Sequence, residues 1–310
     1  MRLIFFGNPK FALPSLERIA SSSHEIACVV TSLDRPAGRG RKLHVPEVKA
    51  VTQNLGLPLL QVDDLKAPGF LQKVAGFAAA LFIVVAFRIL PPELFSIPKM
   101  GAVNLHASLL PMYRGAAPIN RAIMAGETVT GVTTFQIKKK VDTGDMLLQR
   151  EEQISQDDTF DSLHDKLSLL GADVLLETID RLESGDIQPV PQDPSRSSKA
   201  PKLKPEDGEI DWSRNAVDIR NHIRGLCSSP GAYTMRSGSK LKVFSAEAVG
   251  AGNEVSKPGE VHTGELNRSF IVATGDQSLQ LLEVQPAGKK RMTAEAYLRG
   301  YPLKTGEVLG

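Results

Sequence analysis

An α/β domain built on a parallel sheet, followed by a small all-β domain that reads as a barrel, is the architecture this sequence predicts. Three observations carry it. From Arg2 to about Asp186, short apolar runs rich in Val, Ile and Phe alternate with helix-periodic stretches, the pattern of successive βαβ units. Within that region Ala79 to Phe87 is unbroken apolar sequence, as expected of a central strand covered on both faces. Gln188 to Pro205 then holds Pro189, Pro191, Pro194, Pro201 and Pro205 among Ser, Asp and Lys, and reads as a linker. Beyond it come short alternating segments separated by Gly-rich turns.

The elements follow in order. Leu3 to Gly7 and Glu25 to Thr31 are strands bracketing a helix through Leu13, Leu16 and Ile19, and Pro58 to Val62 is a strand after a helix begun near Pro46. Pro91-Pro92 stops the chain after the central strand. Ala102 to His106 is a further strand, Pro118 to Ala125 a short helix with proline in its first turn, and Gly131 to Lys138 another strand. Leu163, Leu167, Leu170, Val174, Ile179 and Leu182 recur at helical spacing, so Thr159 to Ser184 is one amphipathic helix, with Gly185 as its stop. In the last third, a helix spans Ala216 to Gly225. Strands are expected at Lys240 to Phe244, Gly259 to His262, Ser269 to Thr274 and Ser278 to Val284. The domain division expected is 1–187, a linker 188–205 and 206–310.

Composition narrows the function classes. With 37 Lys+Arg against 35 Asp+Glu over 310 residues the net charge is +2, so any polyanion must be met by a local basic patch. The longest apolar run, Phe77 to Phe87, is eleven residues where a spanning helix needs about 20, so no membrane helix is expected. The N-terminus reads directly as a strand, which points to a cytoplasmic protein. Cys28 and Cys227 are too far apart and too few for a disulfide framework or zinc knuckle, and the six histidines are scattered singly, so no metal centre is expected. The first βα turn is Gly7-Asn8-Pro9-Lys10-Phe11 rather than G-x-G-x-x-G, and the P-loop, G-x-S-x-G and H-E-x-x-H patterns are absent.

What remains is the stretch Asn104-Leu105-His106-Ala107-Ser108-Leu109-Leu110-Pro111. Asn104 and His106 lie two apart on a strand and so share a face, placing an amide donor beside a titratable base. The turn-forming Val141-Asp142-Thr143-Gly144-Asp145 follows the next strand and can bring a carboxylate to an imidazole. That combination suits acyl transfer. Spacing alone also fits a structural role, with His106 filling a strand end and Asp142 serving an Asx turn.

The runs Asn104 to Ile119 and Val141 to Leu147 resemble the hallmark segments of the methionyl-tRNA formyltransferases. The basic loop Asp34 to Leu43, Ala200-Pro201-Lys202-Leu203, Ile210-Asp211-Trp212 and Gly288 to Met292 resemble the same family, so the likeness spans nearly the whole chain. It implies a Rossmann-like catalytic domain with a C-terminal OB-like barrel. It also implies transfer of a formyl group from 10-formyltetrahydrofolate to the α-amino group of methionyl initiator tRNA, with no metal. By resemblance Asn104, His106 and Asp142 are the catalytic set, with Asp142 orienting the His106 ring. Ser108, Leu109, Leu110 and Pro111, with Phe87, Arg88 and Ile89, form the folate site, where relatives usually carry Tyr-Gly in place of Phe87-Arg88. Arg35, Arg39, Arg41 and Lys42, punctuated by Pro36, Gly38 and Gly40, make an extended mobile loop for the tRNA acceptor end, Arg39 foremost. A monomer is the working expectation. A formyltransferase acting on a small amine, a formyltetrahydrofolate hydrolase and a catalytically dead RNA-binding protein are the alternatives.

Overall fold

The structure is a computed structural model that describes residues 1–37, 42–250, 256–263 and 269–310. In chain order the first elements are β1 (Arg2–Gly7), α1 (Leu13–Ala20), β2 (Glu25–Ser32), β3 (Arg35–Ala37), β4 (Lys42–His44), α2 (Glu47–Asn54), β5 (Leu59–Val62), α3 (Pro68–Gly76) and β6 (Leu81–Val85). There follow α4 (Pro92–Phe95), β7 (Ala102–His106), β8 (Arg114–Gly115), α5 (Pro118–Met124), β9 (Val129–Gln136), β10 (Met146–Gln153), α6 (Phe160–Ser184) and β11 (Lys199–Ala200). The last are α7 (Ala216–Gly225), β12 (Ala232–Arg236), β13 (Ser239–Val249), β14 (Val261–Thr263), β15 (Phe270–Ala273), β16 (Ser278–Pro286), β17 (Met292–Thr293) and α8 (Ala294–Gly300). They form two compact units. One comprises Met1–Gly115, Val129–Gln153 and His164–Ala200; the other comprises Ala116–Thr128, Ile154–Leu163 and Pro201–Gly310.

The first unit is built on a seven-stranded sheet of order β10-β9-β7-β6-β1-β2-β5. Its five strands from β5 to β7 are parallel, while β9 and β10 run antiparallel. The chain steps outward from β1 through β2 to β5, then returns to β6 and β7 on the other side of β1, which is the mononucleotide-binding strand order. Register sets the core. Cys28, Ile4, Phe82 and Ala102 form one row across the sheet and Val30, Phe6, Val84 and Asn104 the next, all belonging to one apolar cluster except the polar Asn104. Every residue of β6 is buried, as the unbroken apolar sequence requires, and Ala86, at φ 47°, ends the strand before Phe87. On the opposite face α6 packs over β7: a Cβ at Gly171 would lie 2.7 Å from the Leu105 side chain, and the Thr134 and Thr178 hydroxyls are 2.8 Å apart.

The stretch expected to be a linker without regular structure is paired to the first unit. Val190 bridges Met146, and β11 pairs in parallel with β8, so residues 114–115 and 199–200 form a two-stranded sheet. Prolines stop it from extending further, since each removes a main-chain donor.

The second unit folds around Trp212, Ile219, Ile223, Val243, Phe270, Leu279, Leu281 and Tyr297. Its sheet runs β12-β13-β16-β15-β14, with β17 on β16. The barrel expected from the sequence is not closed: among the described residues no pairing joins β14 to β12. The C-terminal tail occupies those edges instead. Glu260 bridges Val308, the Val261 N–H donates to the Glu307 carbonyl at 2.8 Å, and the Gly310 N–H donates to the Met235 carbonyl of β12 at 3.0 Å. Helix α7 is capped by the Asn215 side chain on the Asp218 N–H, and α5 meets it through Asn120 Nδ2, which donates to the Gly225 carbonyl at 2.7 Å.

His222 on α7 is buried, and among the described residues its Nε2 has no hydrogen-bond partner. Burial holds its pKa below the ordinary value of about 6.5, an effect that a hydrogen bond to the Gly208 main chain and the nearby Asp207 oppose and Arg214 and Arg121 reinforce. The unfolded chain therefore binds the proton more tightly, so the stability owed to a neutral His222 is complete above about pH 6.5 and is lost as pH falls below it. Comparing melting temperatures at pH 7 and pH 5 checks this: His222→Gln should lose less on acidification than the parent.

Candidate active site

Asn104 and His106 lie on β7 in the first unit, on the face opposite the one α6 covers. Alternation along a strand puts both on one side, and the antiparallel partner β9 places Phe135 opposite Asn104 and Thr133 opposite His106. The Asn104 side chain is half-buried and makes no hydrogen bond among the described residues, so its two N–H donors are available. His106 is 6% exposed, and its ring stands edge-on to Phe135 at 6.5 Å between centroids. Its Nε2 lies 2.9 Å from the Tyr113 carbonyl. A carbonyl only accepts, so this contact puts the proton of a neutral ring on Nε2 and leaves Nδ1 with the lone pair.

Asp142 sits in the turn between β9 and β10. The turn leaves β9 beside the start of β7, where the Ile137 N–H donates to the Ala102 carbonyl at 2.7 Å. Gly144 makes this turn possible, because a Cβ there would fall 1.5 Å from the Gln136 carbonyl oxygen. Asp142 itself adopts φ 52°, and its Oδ2 accepts from the Gly115 N–H at 2.9 Å. Among the described residues it makes no hydrogen bond to His106. The ring is oriented by Tyr113 instead, and Asp142 holds the chain two residues beyond Tyr113.

Residues 108–111 are pinned by one hydroxyl. Thr133 Oγ1 donates to the Ser108 carbonyl at 2.7 Å and accepts from the Leu110 N–H at 3.1 Å and from Gln149 Nε2 at 2.9 Å, using its full capacity. Ser108 is wholly buried with its hydroxyl committed to the Met112 carbonyl at 2.7 Å, and Leu110 and Pro111 are buried as well. Leu109 alone of the four keeps part of its surface open.

After β6, Phe87 packs on Phe6 with centroids 5.7 Å apart, and the Arg88 guanidinium lies over the Phe87 ring. Arg88 donates to the carbonyls of Val62, at 2.8 Å, and Asp63, so the cation fastens this loop to the end of β5, and burial lowers its pKa. Ile89 is 71% exposed. Among the described residues the main chain of Phe87, Arg88, Ile89 and Leu90 forms no hydrogen bond, and of the four only Leu90 is buried, which leaves the amide groups of residues 87–89 open to a ligand.

Of the basic loop, Arg39 and Arg41 lie outside the described residues, and Lys42 is described only through its main chain in β4. Arg35 is exposed and paired with Asp63. The foot of the loop is fixed: Asp34 accepts from Lys49 Nζ at 2.6 Å and from Gln61 Nε2 at 2.8 Å, and these bonds hold its carboxyl below the usual carboxylate range. Among the described residues no cluster of His, Cys, Asp and Glu could hold a metal ion, and no helix is long and apolar enough to cross a membrane. Sequence reasoning missed Tyr113, Thr133, Gln149 and Gln192 as parts of this site. Their contributions are a carbonyl, a hydroxyl and two amides reaching across the fold, for which the sequence carries no local signal.

Residues 1–179 match the family model described as formyl transferase, and residues 202–302 match formyl transferase, C-terminal domain. A methionyl-tRNA formyltransferase of Moorella thermoacetica is 45% identical over 316 aligned positions, covering 100% of this chain and 99% of that one. The methionyl-tRNA formyltransferase of Citrifermentans bemidjiense is also 45% identical, covering 100% and 96%. Among solved structures, the N-formyltransferase of Helicobacter canadensis, in complex with folinic acid and dTDP-3-aminofucose, superposes with a TM-score of 0.68 at 18% identity, over 92% of this chain and 98% of that one. HypX of Aquifex aeolicus in complex with tetrahydrofolic acid gives 0.63 at 18% identity, over 100% of this chain and 50% of that one.

Removing the Thr133 hydroxyl leaves a buried N–H and carbonyl without partners, which costs roughly 1–3 kcal/mol. Thr133→Val should therefore lower the calorimetric melting temperature by about 2–10 °C.

Proposed function

The chain belongs to the methionyl-tRNA formyltransferase family, and on that footing we propose that it transfers the formyl group of 10-formyltetrahydrofolate to the α-amino group of methionine on initiator tRNA. The observation that carries the reaction class is the pair on β7: an unengaged Asn104 amide and a ring-fixed His106, side by side on one face. The folate supplies an acyl carbon at the oxidation level of formate, activated on nitrogen.

The residues fit that chemistry. Asn104 donates to the formyl oxygen as negative charge grows there, and one such donor is worth roughly 3–4 kcal/mol. His106, with its Nε2 proton committed to Tyr113, takes the amine's proton at Nδ1. An α-amino group has a reference pKa of about 7.7–8.0, so part of it is already neutral near pH 7 and the base has little to do. Positioning therefore outweighs basicity. Asp142, through the Gly115 N–H, steadies the segment whose Tyr113 carbonyl orients His106. The open main chain of Phe87, Arg88 and Ile89 suits the amide-like edge of a flat pterin, with Leu109 and Ile89 as apolar walls and the buried Ser108, Leu110 and Pro111 shaping the turn behind them.

Residues 1–187 carry the reacting groups, 188–205 form the connection while bracing the site loops, and 206–310 bind tRNA. The basic loop with Arg35, Arg39, Arg41 and Lys42 meets the phosphates of the acceptor end. Residues 205–310 hold 13 basic and 13 acidic side chains, so a bulk charge field does not drive that part of the contact. The enzyme acts as a cytoplasmic monomer.

Steady-state formylation of charged initiator tRNA, set beside a small amine such as methionine amide, tests the reading. Asn104→Ala should lower kcat by about 10²–10³ with little change in KM. Asp142→Ala should lower kcat more than it raises either KM, and Asp142→Asn, which keeps an acceptor for Gly115, should retain more activity than Asp142→Ala. Arg39→Ala should raise KM for tRNA several-fold, with the effect shrinking at high salt, and leave formylation of the small amine unchanged. Equal turnover of the small amine and tRNA would remove tRNA from the proposal.

A further inference from the structure

Gln192 lies in the Pro-rich stretch after α6, and its side chain is partly buried against the first unit. Its Nε2 donates to the carbonyls of Asp142 at 3.0 Å and Gly144 at 2.8 Å. Its Oε1 accepts from Arg114 Nε at 2.9 Å and Nη2 at 2.5 Å. A primary amide offers two N–H donors and two acceptor lone pairs, so these contacts use all of its capacity. They also fix which way round the amide lies, because arginine only donates and a carbonyl only accepts.

The contacts tie together the two loops on which the site geometry rests. Asp142 and Tyr113 both sit at positive φ, 52° and 58°, a conformation that side chains other than glycine hold only when their surroundings impose it. Gln192 grips the turn at the Asp142 carbonyl, while the Asp142 carboxylate grips Gly115. The residues just after Gln192 complete the hold: the Tyr113 N–H donates to Ser198 Oγ at 2.8 Å, and the Arg114 N–H donates to the Ser198 carbonyl at 2.9 Å. Gly115, at φ 130°, lies so close to β11 that a Cβ would meet the Ala200 carbonyl at 2.4 Å.

We propose that Gln192 is a positioning residue for the formyl transfer, clamping the Asp142 turn to the Tyr113–Gly115 segment so that the Tyr113 carbonyl holds the His106 ring in register with Asn104. This rests on the formyl-transfer reading above. The amide touches neither reacting group; it acts through Asp142 and Arg114. Side-chain length is critical, because the amide must reach two carbonyls and a guanidinium at once.

Two variants separate the possibilities. Gln192→Ala removes the clamp. Gln192→Glu keeps the acceptor for Arg114 and the shape of the side chain, but sets a carboxylate against two carbonyl oxygens. Both should lower kcat by 10- to 100-fold, with KM for tRNA and for the folate within about threefold of the parent and a melting temperature within a few degrees of it. If Gln192→Ala does not fold, Gln192→Glu carries the test. Independently of activity, hydrogen exchange at the Gly115 N–H should speed up at least tenfold in either folded variant, while exchange in β1 and β6 stays unchanged. Unchanged kcat, or unchanged exchange at Gly115, would overturn the inference while leaving formyl transfer by the parent intact. A parent that transfers no formyl group would remove the reading and this inference with it.

Discussion

Strand β7 has a parallel neighbour on one side and an antiparallel neighbour on the other, and the candidate site depends on that double pairing. The parallel bond to β6 puts Asn104 in line with Val84, Phe6 and Val30, so the amide stands where an apolar row runs out. The antiparallel bond to β9 puts Thr133 and Phe135 beside His106 and Asn104. Because side chains alternate with a period of two, a slip of one residue in either pairing would send both polar groups to the face covered by α6. The register is held by Phe82, Val84, Val103 and Leu105, all buried, so the same packing that stabilises the sheet also aims the chemistry.

Above that strand the site is held mostly by side-chain bonds to the main chain. Thr133 spends its hydroxyl on Ser108, Leu110 and Gln149, the Tyr113 carbonyl meets His106, and the Gly115 N–H donates to the Asp142 carboxylate. Such bonds fix direction closely. Further out, Arg88 fastens the loop after β6 to β5 and Lys49 with Asp34 fastens the foot of the basic loop. The arrangement fits a reaction in which an amine that is already partly neutral needs alignment more than deprotonation.

Much of this was legible in the sequence, and what was legible was local. Period-two and helical spacing gave β1, β2, β7, α6 and α7 to within a residue or two, and the Asn104 and His106 pair follows from alternation alone. What stayed hidden depends on partners far along the chain. The antiparallel turn of the sheet at β9 has no composition of its own. The pairing of Arg114 and Gly115 with Lys199 and Ala200 joins residues 85 apart, and it turns a proline-rich stretch that reads as a linker into part of the site wall. In the second unit the edges of β14 and β12, which an expected barrel would join, are taken by the tail from Gly306 to Gly310, a Gly-Glu-Val-Leu-Gly run too short to suggest an element. The Asp142 motif was legible and its contact was not: the carboxylate reaches a main-chain N–H rather than the imidazole.

In the proposed reaction this site hands a formyl group to the amine of a charged tRNA rather than to water or to any amine that arrives. A single-turnover experiment with the formyl carbon isotopically labelled, excess enzyme and charged initiator tRNA follows where the label goes. Nearly all of it should appear on the methionine of the tRNA, and omitting the tRNA should leave the label on the folate. Release of labelled formate at a similar rate with or without tRNA would contradict the proposed reaction.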